Sequence, residues 1–376
     1  MAERLRVAVT LEQCWHRVPG GTARAALASI SALLAHGTTD LVGVAAHHRE
    51  PPPAAWSPPI PVHQSRLPRP LLYEAWQRLR RPHLEPITGP VDVIHATGMV
   101  VPPRTAPLVV TVHDLAFLRD PSQFTARGVR FFHRAIELAR REATLITCPS
   151  QATIEECLAH GFPAERLRLL PWSIEPVTVD PDTVAAVRRE LDLPGPMVLW
   201  AGTVEPRKNL PVLLDAFAAV EDRSARLVLV GPEGWNEDIS ARLDQLGERV
   251  RRVGFVDTDA LRVLYAAADL FCFPSRQEGF GLPVLEAMAQ RTAVITSAGT
   301  ATAEVAAEAG LLVDPDDAAA LTTAIDRLLG DPEQRARLAE AGHARALSRF
   351  DRRSHALALE SVYREAVVLG SDRSGR

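Results

Sequence analysis

The chain has 376 residues, of which 47% are hydrophobic and 23% charged, with a formal net charge of −4. That is length enough for two ordinary domains with buried cores, and the acidic balance excludes generic nucleic-acid binding, which wants a basic domain. No run reaches the roughly 18 apolar residues of a membrane span, and "MAERLRVAVT" lacks the apolar stretch of a signal peptide, so the expectation is a cytoplasmic protein. Cys14, Cys148, Cys157 and Cys272 form no CxxC pair. They are read as buried free thiols in a reducing compartment, with no metal site.

Short β-branched runs alternate with amphipathic ones from the start. Strands are predicted at 5–10, 41–46, 91–96, 107–114 and 143–148, with helices at 22–35 and 127–141 among them. Residues 51–62, PPPAAWSPPIPV, hold too many prolines for the interior of either element and are predicted as loop. Residues 69–83 predict a short helix with Leu72, Trp76 and Leu79 on one side and Arg78, Arg80 and Arg81 nearby. That face is either solvated or a peripheral contact with a membrane surface or an acidic acceptor. The same grammar restarts with strands at 197–202, 225–231, 268–274 and 292–297 and helices at 210–220 and 282–291. Over 331–350, Asp331 is placed to cap a helix with Pro332 at its first position, and a helix over about 352–368 ends the chain. Alternation of this kind predicts parallel sheets covered on both faces. The restart predicts two doubly wound α/β domains, 1–175 and 176–350, with the boundary in the proline-rich stretch 170–183, followed by a terminal segment 351–376.

Four stretches carry chemistry. In VPGGTARAAL (18–27), Gly20 and Gly21 precede a helix, where backbone N–H groups can approach an anion. The full GxGxxG pattern is missing, which disfavours hydride chemistry with a dinucleotide. In TVHDL (111–115), His113 and Asp114 stand at the carboxyl end of a strand, where open α/β sheets place ligands. In AGTVEPRKNL (201–210), Lys208 is the sole lysine of the chain and directly succeeds Arg207. Two cations at a helix N-terminus oppose the macrodipole, so the pair calls for an anion between them. A diphosphate can use a planar fork and a compact point charge together. In PSRQEGFGLPVLEAMA (274–289), Glu278 and Glu286 have E-x7-E spacing. Gly279 and Gly281 place the first carboxylate in a loop, and the second falls in the helix after it. One carboxylate can accept hydrogen bonds from a sugar and the other from a ribose diol.

These stretches, in this order, resemble glycosyltransferase family 4, retaining enzymes of the GT-B fold. The resemblance covers nearly the whole chain. It implies two Rossmann-like domains facing each other across a cleft, with the final helix crossing back to the N-terminal one. The nucleotide-sugar donor would bind mainly the C-terminal domain and the acceptor the N-terminal one, with no cofactor and no metal. Arg207 and Lys208 would neutralise the diphosphate, and Glu286 would hold the ribose. Glu278, with the amides of Phe280 and Gly281, would face the sugar and phosphates. Gly20 and Gly21 would close over the diphosphate, and His113 would contact the sugar. The backbone at Gly254, Phe255 and Val256 would meet the nucleobase. Ala23 departs from the pattern, standing where many members carry a further glycine. GTVEPRKNL resembles the subgroup using GDP-mannose, which implies mannosyl transfer to a hydroxyl of a glycan, lipid-linked or small-molecule acceptor, in the cytoplasm or at the inner face of the membrane. A UDP- or dTDP-hexose donor, a GT-B-fold epimerase and a non-catalytic sugar-nucleotide-binding protein stay open as alternatives.

Overall fold

The structure is a computed structural model that describes residues 4–16, 19–123, 125–193, 195–234 and 237–374. Val18 of the glycine-bearing stretch lies outside the described residues, as do the first three and last two residues of the chain. The chain divides into two compact units, Met1–Ser173 with Asp351–Arg376, and Ile174–Phe350.

The first unit is built on strands β1 (Arg6–Thr10), β2 (Asp40–His47), β3 (Val62–Pro68), β4 (Val93–Ala96), β5 (Leu108–Thr111), β6 (Leu145–Cys148) and β7 (Leu167–Leu169). They form a parallel sheet in the order β3-β2-β1-β4-β5-β6-β7. The inner strands read as nearly unbroken apolar runs because both faces are covered. Alternate residues serve opposite cores. Val7 and Val9 join Ile30, Leu33, Leu359 and Tyr363 on one side, while Ala8 joins Val44, Ile94, Trp76 and Ile136 on the other. The final helix, Arg352–Ser374, runs beyond the expected 368 and belongs to this unit. Its Glu360 carboxylate accepts from Thr39 Oγ1 at 2.6 Å, and Tyr363 shares a hydrogen bond of 2.8 Å with His95 of β4.

The second unit carries β8 (Met197–Ala201), β9 (Arg226–Val230), β10 (Val250–Gly254), β11 (Leu270–Phe273), β12 (Ala293–Ser297) and β13 (Leu311–Val313). These are again parallel, in the order β10-β9-β8-β11-β12-β13. In both sheets the strand order reverses once, between β1 and β4 and between β8 and β11. The carboxyl ends at such a reversal are where open α/β sheets leave a crevice for ligands.

Several expectations are corrected. The helix expected at 22–35 runs Gly20–His36, so both glycines lie in its first turn rather than before it. The strand expected at 107–114 ends at Thr111, which leaves His113 two residues beyond it. Residues 69–83 begin as the helix Arg69–Glu74 but continue as a π-helical turn, Ala75–Leu79. The wider turn rotates the end of the segment: Leu72 and Trp76 are buried, whereas Leu79 is 73% exposed. Arg80 turns inward with φ 52°, donating to the carbonyls of Val101 (2.9 Å) and Pro102 (2.6 Å) and pairing with Glu142. It is a structural cation, not part of a surface patch. All four cysteines are buried free thiols, Cys148 and Cys157 having their sulfurs 3.8 Å apart. Among the described residues no helix is long and apolar enough to cross a membrane.

Candidate active site

At the reversal of the second sheet, two loops leave neighbouring strands. The one after β8 passes through a short 3₁₀ turn, Pro206–Lys208, into the helix Leu210–Ala219. The one after β11 runs from Pro274 to Gly281 and enters the helix Leu282–Ala289. Asn209 joins them. It sits in the left-handed region (φ 56°), which asparagine tolerates better than most residues, and its Nδ2 donates to the carbonyls of Pro274 (3.0 Å) and Pro315 (2.6 Å). Arg276 N and Ser275 Oγ both donate to Arg207 O at 2.8 Å. The backbone of one loop is thereby locked to the other, and residues 70 positions apart meet.

The groups brought together are charged. Lys208 Nζ lies 2.5 Å from Glu278 Oε1, and Arg207 Nη1 lies 3.0 Å from Glu278 Oε2. Arg207 Nη2 is 2.7 Å from Glu205, and Ser275 Oγ donates to Glu278 at 2.8 Å. The side chains of Lys208 and Glu278 are each only 9% exposed, and the ammonium stands 4.8 Å from the centroid of the Phe273 ring. Burial pushes the Glu278 carboxyl up, but the two cations and the bonds from Lys208 and Ser275 outweigh it and hold the group at about 2. Burial and the Arg207 charge push the Lys208 ammonium down against the pull of Glu278 and Glu205. Both pKa values fall, which favours the charged carboxylate and disfavours the charged ammonium: the carboxylate has two cations, whereas the lysine is buried with a cation beside it and shares its carboxylate.

The sequence alone called for an outside anion to explain two cations at a helix start. The chain supplies carboxylates of its own, Glu278 and Glu205, so the four charges sum to zero in this state. Glu205, Ser275 and Asn209 were missed. Glu205 and Asn209 stand inside the very stretch that holds Lys208, but their partners are set by tertiary contact. Tyr265 was missed as well. Its hydroxyl donates to Glu286 Oε2 at 3.2 Å, which gives that half-buried carboxylate a polar neighbour on an otherwise apolar helix.

Around this centre Gly281 has φ 113°, and a Cβ there would meet Thr302 Cγ2 at 2.8 Å, so glycine is required where the loop enters the helix. Gly279 is buried. Phe280 points its ring into the core against Phe350, with centroids 5.7 Å apart, leaving only its backbone for a ligand. Gly254 and Phe255 at the end of β10, with Val204 and Pro232, line a cavity of about 410 Å³; Val256 comes next in the chain, half-buried.

The first unit holds the remaining candidates. Gly20 and Gly21 are exposed, with nothing among the described residues beyond their chain neighbours within 4 Å of the place a Cβ would occupy. His113 is buried, and its Nε2 donates to the carbonyl of Thr97 at the reversal of this sheet, at 2.8 Å. That fixes the tautomer and leaves Nδ1 as a buried acceptor without a hydrogen-bond partner among the described residues. Burial lowers its pKa more than Thr97 and Asp114 raise it, so the ring is neutral at pH 7.

Two parallel, doubly wound sheets, one in each unit, are the architecture of the GT-B fold. Residues 19–176 match the family model described as Glycosyltransferase Family 4, and residues 195–331 that of Glycosyl transferases group 1. The O-antigen chain mannosyltransferase B of Escherichia coli is 32% identical over 290 residues, covering 74% of this chain and 76% of the relative. The MMP alpha-(1->4)-mannosyltransferase of Mycolicibacterium hassiacum is 30% identical over 303 residues, covering 74% and 72%. Among solved structures, HepE of Anabaena in complex with UDP and glucose superposes with a TM-score of 0.75 at 20% identity, over 95% of this chain and 99% of that one. The chain belongs to glycosyltransferase family 4 and is a glycosyltransferase.

Proposed function

We propose that the protein is a retaining mannosyltransferase that uses GDP-mannose and a hydroxyl acceptor on a glycan, a lipid-linked saccharide or a small molecule. The observation that carries the donor chemistry is the contact of Arg207 and Lys208 with one shared carboxylate at the reversal of the second sheet. Two preorganised cations there, Lys208 buried and Arg207 half-buried, suit the negative charge that grows on the β-phosphate as the nucleotide leaves. The likeness to two relatives named as mannosyltransferases supports the choice of sugar.

In this reading the bond from the anomeric carbon to the β-phosphate oxygen breaks. The bond to the acceptor oxygen forms on the same face, and the acceptor proton passes to the departing phosphate. Glu278 gives up part of its hold on the cations to the diphosphate and faces the sugar, Glu286 holds the ribose, and the amides of Phe280 and Gly281 contact phosphate. The first-turn amides of Gly20 and Gly21 contact phosphate. His113 accepts a sugar hydroxyl at Nδ1, and the backbone at Gly254, Phe255 and Val256 borders the base. The chain's own cations replace a divalent metal. Exposed Leu71 and Leu79 beside Arg78 support a peripheral contact with a membrane carrying the acceptor.

The test is a thermal-shift panel of GDP, UDP, dTDP and ADP, and then turnover of the matching sugar donors with and without EDTA. Ligand at 100 times its Kd stabilises by about 2.7 kcal/mol, so the preferred nucleotide stands out. Preference for GDP, an α-linked product and insensitivity to EDTA support the reading. A UDP preference, an inverted product or a metal requirement overturns the corresponding part.

A further inference from the structure

The cavity at the carboxyl ends of β8, β9 and β10 is apolar along much of its wall, where Trp200, Val204 and Ile239 stand, but it also takes in Glu233 and Arg252. These two are joined by a salt bridge of 2.8 Å. Glycines fix where Glu233 stands. A Cβ on Gly231 would come within 1.9 Å of Gly202 O, and one on Gly234 within 1.9 Å of Val204 O. The loop is therefore pressed onto the exit of β8, which places Glu233 at the rim of the cavity with its side chain 84% exposed and open to a ligand. Phe255, 69% exposed, forms a lip. A bare aromatic face stacks on any base and so cannot choose among them.

We propose that Glu233, with Arg252 beside it, is the pair that selects guanine as the donor's base; this rests on the donor reading above. Guanine presents two adjacent donors, N1–H and the 2-amino group, and a single carboxylate can accept both. Its O6 and N7 are acceptors that a guanidinium meets with two parallel bonds. Uracil and thymine present one N–H between two carbonyl oxygens, so a carboxylate placed against that edge gains one bond and faces two repulsive oxygens. The exposed pair contributes little to stability while the cavity is open. Once a base covers it, each group must find its partner on the base, and a base that cannot supply one is rejected.

The experiment is calorimetric titration of GDP, IDP and UDP into the full chain, wild type, Glu233→Gln and Arg252→Gln, with melting curves as a check on folding. Wild type is expected to prefer GDP over UDP by about 5- to 150-fold, the range of one bidentate contact, with IDP, which lacks the 2-amino group, in between. Glu233→Gln should weaken GDP more than IDP, relieve UDP of the repulsion and so shrink the GDP-over-UDP ratio, with Arg252 keeping part of it, and Arg252→Gln should weaken GDP and IDP alike. A wild type that prefers GDP and variants that keep the same ratios overturn the role of the pair and leave the donor reading standing. A wild type that prefers UDP overturns the donor reading, and the pair with it.

Discussion

An ammonium 2.5 Å from a carboxylate oxygen and 4.8 Å from an aromatic centroid occupies a space that a guanidinium would overfill. Lysine and arginine are not interchangeable at such a position, which gives the sole lysine of an arginine-rich chain a physical reason. Lys208→Ala is expected to lower kcat/KM by roughly 10- to 150-fold, the equivalent of a charge-assisted hydrogen bond of about 1.5–3 kcal/mol. Lys208→Arg should lose at least half of that energy, checked by steady-state kinetics beside a thermal melt; an arginine variant equal to wild type refutes the size argument. The carboxylates divide differently. Glu278→Ala should lower kcat, yet tighten GDP because it removes the internal competitor for both cations, whereas Glu286→Ala should chiefly raise KM. Kinetics with a GDP titration decides it, and weaker GDP binding by Glu278→Ala contradicts the competitor role. At this scale the sequence made Arg207, Lys208 and Glu278 legible through their types and spacing. Their mutual neutralisation was not, because nothing local reports a contact across 70 residues.

Every strand that the sequence did not reveal is a sheet edge: β3 and β7 in one sheet, β10 and β13 in the other. Buried central strands announce themselves as apolar runs. Edge strands are kept short, polar or proline-bearing, which blunts pairing with other chains and removes the signal. VHQSRLP and VRRVG show the polarity, and three-residue β7 and β13 show the brevity. The π turn at Ala75–Leu79 was likewise invisible, since its residues are ordinary helix formers. Gly281 is the element-scale test. Gly281→Ala should destabilise the second unit by about 1–3 kcal/mol through a strained backbone and a clash with Thr302, and should lower activity by shifting the loop that bears Glu278. Adding Thr302→Ser removes the clashing methyl and should recover part of the loss, measured by urea unfolding. No loss in the single variant contradicts the required φ.

For the whole molecule, the two-unit architecture was legible because the strand-helix grammar restarts, and the family because the motifs fall in order. The buried histidines of the first unit were not. His95, His113 and His355 are buried, and burial lowers the pKa of each, that of His95 to about 3. Unfolded, each titrates near 6.5. As pH falls below that value the unfolded chain binds protons the folded chain refuses, so stability is full above about 6.5 and declines toward the folded pKa values. The slope is at most about 1.4 kcal/mol per pH unit for each histidine. Urea midpoints at pH 7 and pH 5 should show this fall, and His95→Gln should flatten it; a midpoint independent of pH contradicts it. The central claim, that Arg207 and Lys208 form the diphosphate site of a metal-independent donor pocket, is tested most directly by titrating GDP and guanosine, in EDTA, into wild type and Lys208→Ala. The expected result is GDP binding that EDTA leaves intact and that Lys208→Ala weakens by at least about 10-fold, with guanosine affinity unchanged. Equal loss for GDP and guanosine, or none for either, would contradict it.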